Sequence, residues 1–170
     1  MTFKEISIDS PIQEKVVWAE NCYQAMKAQL LGDEKIADLL IRYREAALVS
    51  HGEMDRTGVV NECKDCEERE GGSCCGEGLE DRYNGILLLI NLLLDRKLPE
   101  QRHDTLSCYF LGQGGCLLLA RHVICVNYIC SKITEKFDPT KLAMLREKEG
   151  IELEILFLLH ERVKEVRAKL

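Results

Sequence analysis

Eight of the nine cysteines lie in the middle of the chain, and their types and spacing are those of metal ligands. Two form a C-x2-C motif, two are adjacent, and four follow in a second group. In order they are Cys63, Cys66, Cys74, Cys75, Cys108, Cys116, Cys125 and Cys130. Thiolates bind zinc and hold the irons of iron–sulfur clusters. We therefore predict a metal or cluster centre, either as two four-cysteine sites or as one site with spare thiols.

The spacing within the first four cysteines points to different roles for neighbouring thiols. Two cysteines separated by two residues, such as Cys63 and Cys66, can place both sulfurs on one ion. Consecutive side chains usually diverge, so Cys74 and Cys75 are poorly suited to sharing one tetrahedral zinc ion. Either these two thiols serve two different metals, or one is a ligand and the other faces the core.

Cysteines also pack in cores and form disulfide bonds, and both roles compete with metal binding here. A free cysteine is a common small core residue, and Cys22, far upstream on an apolar helical stripe, is predicted to be one. For the other eight, unrelated core positions and a disulfide framework are weaker alternatives. The four histidines show no zinc-binding spacing, although His103 and His122 lie near cysteines.

Composition and charge limit the class of protein. The chain has 170 residues, 46% of them hydrophobic and 31% charged, which suits one globular domain. Its formal net charge of −6 does not indicate a nucleic-acid partner. Residues 86–94 form the longest apolar stretch, far shorter than the roughly 20 residues of a membrane helix, and no signal peptide is evident. We expect a cytoplasmic protein without a membrane partner, in which thiols stay reduced.

Helix signals are clear in the first part of the chain. Ser10-Pro11 predicts a helix start with a capping serine, and Gly32 predicts its end. Asp33 is a predicted cap for a second helix that ends near residues 51–52. Because the connection is short, residues 1–50 are expected to form an antiparallel helical hairpin.

The middle of the chain differs from the first part in composition and in hydrophobic pattern. Residues 51–78 are rich in glycine, cysteine and charge without a helical period, which predicts a loop held by metal. Residues 79–94 are predicted to form a third, largely buried helix closed by Pro99. A glycine turn at residues 112–115 and a short helix within 116–130 follow, and no convincing strand is found.

A last helix completes the predicted architecture. Asp138-Pro139 is a cap-plus-proline start, and Gly150 is a candidate break or kink. The prediction is an all-α, small helical bundle with a cysteine-rich metal-binding loop region. It forms one domain over 1–170, with a metal-binding core at 51–132 and a C-terminal helix at 133–170.

The ordered cysteine pattern resembles that of the zinc- or iron-chelating domain family of small cysteine-rich proteins. In that family, C-x2-C and a nearby Cys-Cys pair precede further cysteines, an arginine-proline, a cysteine, an aromatic residue and a final cysteine. Matching residues here are the eight clustered cysteines with Arg121 and Tyr128, while His122 replaces the proline. A related cluster occurs in flagellin lysine N-methylases. The resemblance covers residues 63–130 and implies bound zinc or iron, without implying a reaction.

The predicted function is therefore metal binding, by an iron–sulfur cluster or zinc, in a structural, electron-transfer or sensory role. The alternative is a cluster-dependent enzyme or enzyme subunit in redox or methyl-transfer chemistry. We rank it lower because the sequence offers no obvious acid or base set beside the cysteines. A third possibility is an interaction module in which the cysteines carry no metal.

Overall fold

The structure is a computed structural model that describes residues 4–69 and 74–169, without the side chains of residues 67–69. The acidic run at residues 67–70 was expected to be solvated, and its side chains lie outside the described part of the chain. The predicted turn at Gly71-Gly72 lies entirely outside the described residues. The described part is mostly helical, which confirms the all-α prediction in outline. Its helices are α1 (Ile12–Gly32), α2 (Glu34–Thr57), α3 (Val59–Arg69), α4 (Gly85–Leu93), α5 (Val123–Asn127), α6 (Ser131–Lys136) and α7 (Pro139–Ala168).

The junction between α1 and α2 follows the sequence signals closely. Helix α1 ends at Gly32, and the Asp33 carboxylate accepts a hydrogen bond from the Ile36 amide at 3.0 Å, which caps α2. The start of α1 differs from the prediction. Pro11, with an extended ψ of 146°, occupies the capping position itself, and no side chain caps the helix, so Ser10 is not the cap.

The predicted loop at residues 51–78 is wrong for its first two thirds. Helix α2 continues to Thr57, and α3 begins one residue after Gly58, whose φ of 87° turns the chain between the two helices. The helical period was hidden because polar residues occupy the core face of α2 in this stretch. Ser50, Glu53 and Thr57 are all buried there.

The predicted helix at residues 79–94 is divided. A single 3₁₀ turn covers Leu79–Arg82, and α4 begins only after Asn84, whose side chain accepts from the Leu87 amide at 2.9 Å. The first residue of α4 must be small, since a Cβ on Gly85 would lie 2.4 Å from the Trp18 ring. The helix then ends at the residue before Leu94, well before Pro99.

The segment 116–130 is mostly not helical. Two antiparallel two-residue strands, β1 (Leu111–Gly112) and β2 (Gly115–Cys116), enclose the predicted glycine turn. Only α5 lies within the predicted helix, and α6 follows it as an element that the sequence analysis missed. Short elements of this kind carry too few residues to show a hydrophobic period.

The last helix begins where it was predicted to begin, and it is not broken at Gly150. Asp138 caps α7 by accepting from the amides of Thr140 and Lys141, and Pro139 is its first residue. The helix runs through Gly150 without interruption. A glycine inside a helix costs about 1 kcal/mol relative to alanine, and the packing of α7 against α2 offsets that cost.

Helix α4 lies at the centre of the main core. It packs against α1, while α2 packs along α7, and nearly every α4 side chain is buried. A second, smaller core joins the start of α3 to α6 and α7 through Val59, Ile133, Leu142 and Leu145. Across residues 4–69 and 74–169, no helix has the length and apolar character needed to cross a membrane.

Candidate functional site

The first group of thiols, here called the α3 thiol group, contains Cys63, Cys66, Cys74 and Cys130. Cys63 and Cys66 lie three residues apart on α3, so their side chains share one face of the helix. Cys130 stands at the start of α6 and packs against the smaller core. Helix α3 thus meets the start of α6 through this core, which brings together cysteines that are distant in sequence.

Electrostatic effects show that these four thiols are neighbours. The pKa of the Cys63 thiol is raised by partial desolvation and then by repulsion from Cys74, Cys130 and Cys66. The pKa of Cys74 is raised by desolvation and then by Cys130 and Cys66. Thiols that raise one another's pKa hold a proton more firmly until a cation compensates for their charge.

The second group, here called the hairpin thiol group, contains Cys75, Cys108, Cys116 and Cys125. The backbone joins the first two directly, since the Cys108 amide donates to the Cys75 carbonyl at 2.6 Å. A bridge between Gly76 and Ser107 extends this pairing. Because backbone bonds hold Cys75 against Cys108, the adjacent Cys74 and Cys75 belong to different groups.

Burial dominates the electrostatics of the hairpin thiol group. Burial raises the pKa of Cys108 to about 12, with smaller contributions from Glu80, Cys116 and Cys125. Desolvation also raises the pKa of Cys116, although part of this residue is exposed, while the positive charge of Arg121 acts in the opposite direction. The Cys108 thiol is therefore protonated at neutral pH unless a cation is bound.

A buried amide positions the chain between Cys116 and Cys125. Asn91 of α4 accepts from the amides of Leu119 and Ala120, both at 2.9 Å. Its Nδ2 atom donates to the carbonyls of Leu87 and Ala120, at 2.9 and 2.8 Å. The segment that leads to α5 is thus attached to the centre of the main core.

The thiols are neighbours without forming a closed cage. In the part of the chain that the structure describes, no three His, Cys, Asp or Glu side chains are grouped as they would be around a bound metal ion. Metal binding would require the thiols of either group to move closer together. Cys22, in contrast, is fully buried on α1, as predicted for a core residue.

The histidines near the cysteines have other contacts. His122 caps α5, since its Nδ1 atom accepts from the Ile124 amide at 3.3 Å. His160 contacts the Asn84 side chain at 3.1 Å. His103 lines a cavity of about 400 Å³ together with Lys64, Asp104 and Ser107. Within the described residues its lining contains no cysteine, although Lys64, Ser107 and Gly115 are the sequence neighbours of Cys63, Cys108 and Cys116.

A buried polar cluster that was not predicted from the sequence lies between α2 and α7. The Tyr43 hydroxyl lies 3.2 Å from Glu152 Oε1 and 3.0 Å from the Leu119 carbonyl, and His51 Nε2 lies 3.8 Å from the same carboxylate. Desolvation raises the pKa of Glu152. It also lowers the pKa of His51 to about 4, with help from Arg121 and Arg96. The sequence does contain a signal for this polar cluster, because Ser50 and Glu152 lie at core positions of otherwise apolar helical stripes.

Comparisons with protein families, with curated proteins and with solved structures find no match to this chain. Membership of the zinc- or iron-chelating domain family therefore remains a prediction. The arrangement of the cysteines themselves is the main indication of function.

Proposed function

We propose that this protein binds metal through its cysteine thiolates, as an iron–sulfur cluster or as zinc. One observation carries this proposal. Three separate parts of the chain contribute Cys63 with Cys66, Cys74 and Cys130 to one neighbourhood, where their charges act on one another. A set of mutually repelling thiolates is stabilised by a bound cation.

We further propose that the two thiol groups are separate centres. Each holds four cysteines, which is the number that a structural zinc ion or an iron–sulfur cluster uses. The split between Cys74 and Cys75 follows from the backbone pairing of Cys75 with Cys108. A zinc ion would crosslink the segments, and a cluster would add one-electron chemistry.

The local structure is compatible with closure of the α3 thiol group around a metal. Of the described side chains of α3, only Val59 is buried. The helix can therefore shift with little loss of core packing, which would let Cys63 and Cys66 approach Cys74 and Cys130. In the reducing cytoplasm, where we expect the protein to act, the thiols would remain available as ligands.

The alternative proposal is a cluster-dependent enzyme with the 400 Å³ cavity as its substrate site. The carboxylate that lines this cavity, that of Asp104, is poorly suited to act as a base. Asp104 accepts a hydrogen bond from the Ser107 hydroxyl at 2.7 Å, and this bond is the main cause of its lowered pKa. We therefore place metal binding without catalysis first.

Metal analysis and visible absorption of anaerobically purified protein test the proposal. An iron–sulfur centre should give a brown protein with bound iron, whereas zinc should give a colourless protein with stoichiometric zinc. Cys63→Ser and Cys125→Ser should each reduce the metal content. Cys22→Ala is the matched control and should keep it, since Cys22 lies in the core. Protein that holds neither metal after anaerobic purification would contradict the proposal.

A further inference from the structure

Five buried polar atoms without a protein hydrogen-bond partner lie where α2, α7 and the segment before α5 meet. Within the described residues they are Ser50 Oγ, His51 Nε2, Arg121 Nε, Glu149 Oε1 and Glu152 Oε2. The side chains of His51 and Arg121 are partly exposed, although these two atoms are buried. Ser50 and Glu152 have no exposed surface, and Glu149 is 1% exposed. Buried polar groups in proteins nearly always have a partner.

The five atoms share one region. Ser50 and His51 are consecutive on α2, and His51 Nε2 lies 3.8 Å from Glu152 Oε1. The Ser50 hydroxyl is close enough to Glu152 to lower the pKa of that carboxyl, although the two make no hydrogen bond of normal geometry. Glu149 precedes Glu152 by nearly one turn of α7, and the charges of the two carboxylates interact. The positive charge of Arg121 acts on His51 and on both glutamates.

The chemistry of the set limits the occupant that it can hold. Glu149 and Glu152 offer acceptors, Arg121 offers a donor, and the Ser50 hydroxyl can do either. Arg121 opposes a bound cation, and the two glutamates oppose a bound anion. A water molecule both donates and accepts, and buried waters typically make about three hydrogen bonds to such groups.

We propose that these five side chains form an internal binding site for ordered water that joins α2, α7 and the segment ending at Arg121. This site would hold the Arg121 guanidinium in place by hydrogen bonds. Arg121 is also the positive charge that acts on the Cys116 thiol. The water site would therefore fix the position of a charge beside the hairpin thiol group, whether or not that group binds metal.

A crystal structure of the full chain, at a resolution that shows ordered water, tests the proposal directly. We expect water within hydrogen-bond distance of at least two of the five atoms. In solution, the Arg121 Nε–H should show cross-peaks to water with opposite signs in NOESY and ROESY spectra, which distinguishes bound water from proton exchange. Direct pairing of the five side chains without water, or an ion in their midst, would overturn the proposal.

A pair of matched variants on α7 sharpens the test. Glu152→Leu removes acceptors and fills the region with apolar atoms, so the water cross-peaks of Arg121 should be lost. Glu154→Leu changes an exposed glutamate two residues away and should retain them. Retention of the cross-peaks in Glu152→Leu would overturn the proposal, and if that variant does not fold, the wild-type structure and spectra still decide.

Discussion

The hydroxyl of Tyr83 donates a hydrogen bond to the Sγ atom of Cys125, with 3.5 Å between oxygen and sulfur. The same hydroxyl accepts from the amide of His122 at 3.1 Å. Tyr83 is 1% exposed and its ring packs against Phe110 with 5.0 Å between ring centres. One side chain from the main core thus holds both the first turn of α5 and a thiol of the hairpin thiol group.

Replacing Tyr83 by phenylalanine should destabilise the protein. The variant keeps the buried ring but leaves the His122 amide and the Cys125 thiol without that oxygen, at a cost of about 1 kcal/mol. Urea unfolding should show a lower midpoint with an unchanged slope. Tyr128→Phe is the matched control, because Tyr128 is 58% exposed. Equal midpoints for the two variants would show that the Tyr83 hydroxyl contributes nothing.

The adjacent cysteines distinguish two metal centres from one. If the thiol groups are separate, Cys74→Ser should empty the α3 thiol group and Cys75→Ser should empty the hairpin thiol group. Each single variant should then retain about half of the metal, and the double variant almost none, because each centre uses four thiolates. The measurement is metal content per chain after anaerobic purification.

Two other outcomes of the metal measurement would contradict the prediction of two centres. If either single variant loses all the metal, the eight cysteines act as one centre. The proposal of two separate centres would then be wrong, while the proposal of metal binding would be retained. If both single variants keep the wild-type content, neither Cys74 nor Cys75 is a ligand.

Removal of metal should release α3. Val59 alone anchors its described side chains in a core, so ligation through Cys63 and Cys66 would be its main attachment beyond the junction with α2. Chelation should therefore make residues 60–69 sensitive to proteases, while most helical circular dichroism is retained because the main core does not involve α3. Equal protease resistance with and without metal would mean that α3 is held by other means.

His51 should make a destabilising contribution to the fold in mild acid. The pKa of His51 is lowered from 6.5 to about 4, first by burial, and the folded state therefore takes up a proton less readily than the unfolded state. Glu152 acts in the opposite direction, because burial raises its pKa and the folded state therefore takes up that proton more readily than the unfolded state. The contribution of His51 alone should lower stability as pH falls from about 6.5 to about 4, by at most about 1.4 kcal/mol per pH unit for one proton.

Substitution of His51 isolates that contribution. His51→Gln cannot be protonated, so as the pH is lowered over the same range its free energy of unfolding, measured in urea, should fall less than that of the wild type. Parallel pH profiles for the two proteins would show that His51 does not titrate in this way.

The sequence predicted helix boundaries well where a local signal determines them. Asp33 and Asp138 cap their helices as expected, because an N-cap needs only a side chain and the next turn of backbone. The predictions failed where distant contacts decide the structure. Polar residues such as Glu53 and Thr57 predicted a loop, yet both are buried on one face of α2, where Lys148 of α7 pairs with Glu53.

The residue types of the candidate site could be predicted from the sequence, whereas the positions of these residues in space could be predicted only in part. The clustered cysteines and the divergence of Cys74 from Cys75 follow from residue type and spacing. Their distribution into groups depends on the pairing of Cys75 with Cys108 and on the smaller core beside Cys130. Such contacts join residues distant along the chain, which no local pattern reports.

Asn91 gives the two thiol groups unequal resistance to local unfolding. Its four hydrogen bonds attach the backbone of Leu119 and Ala120 to α4, in the middle of the apolar core. The chain on either side of this attachment, with Cys116 and Cys125, is therefore held to the core through its backbone. Among its described residues, helix α3 has no comparable anchor, so local unfolding should release its cysteines at a lower cost in free energy.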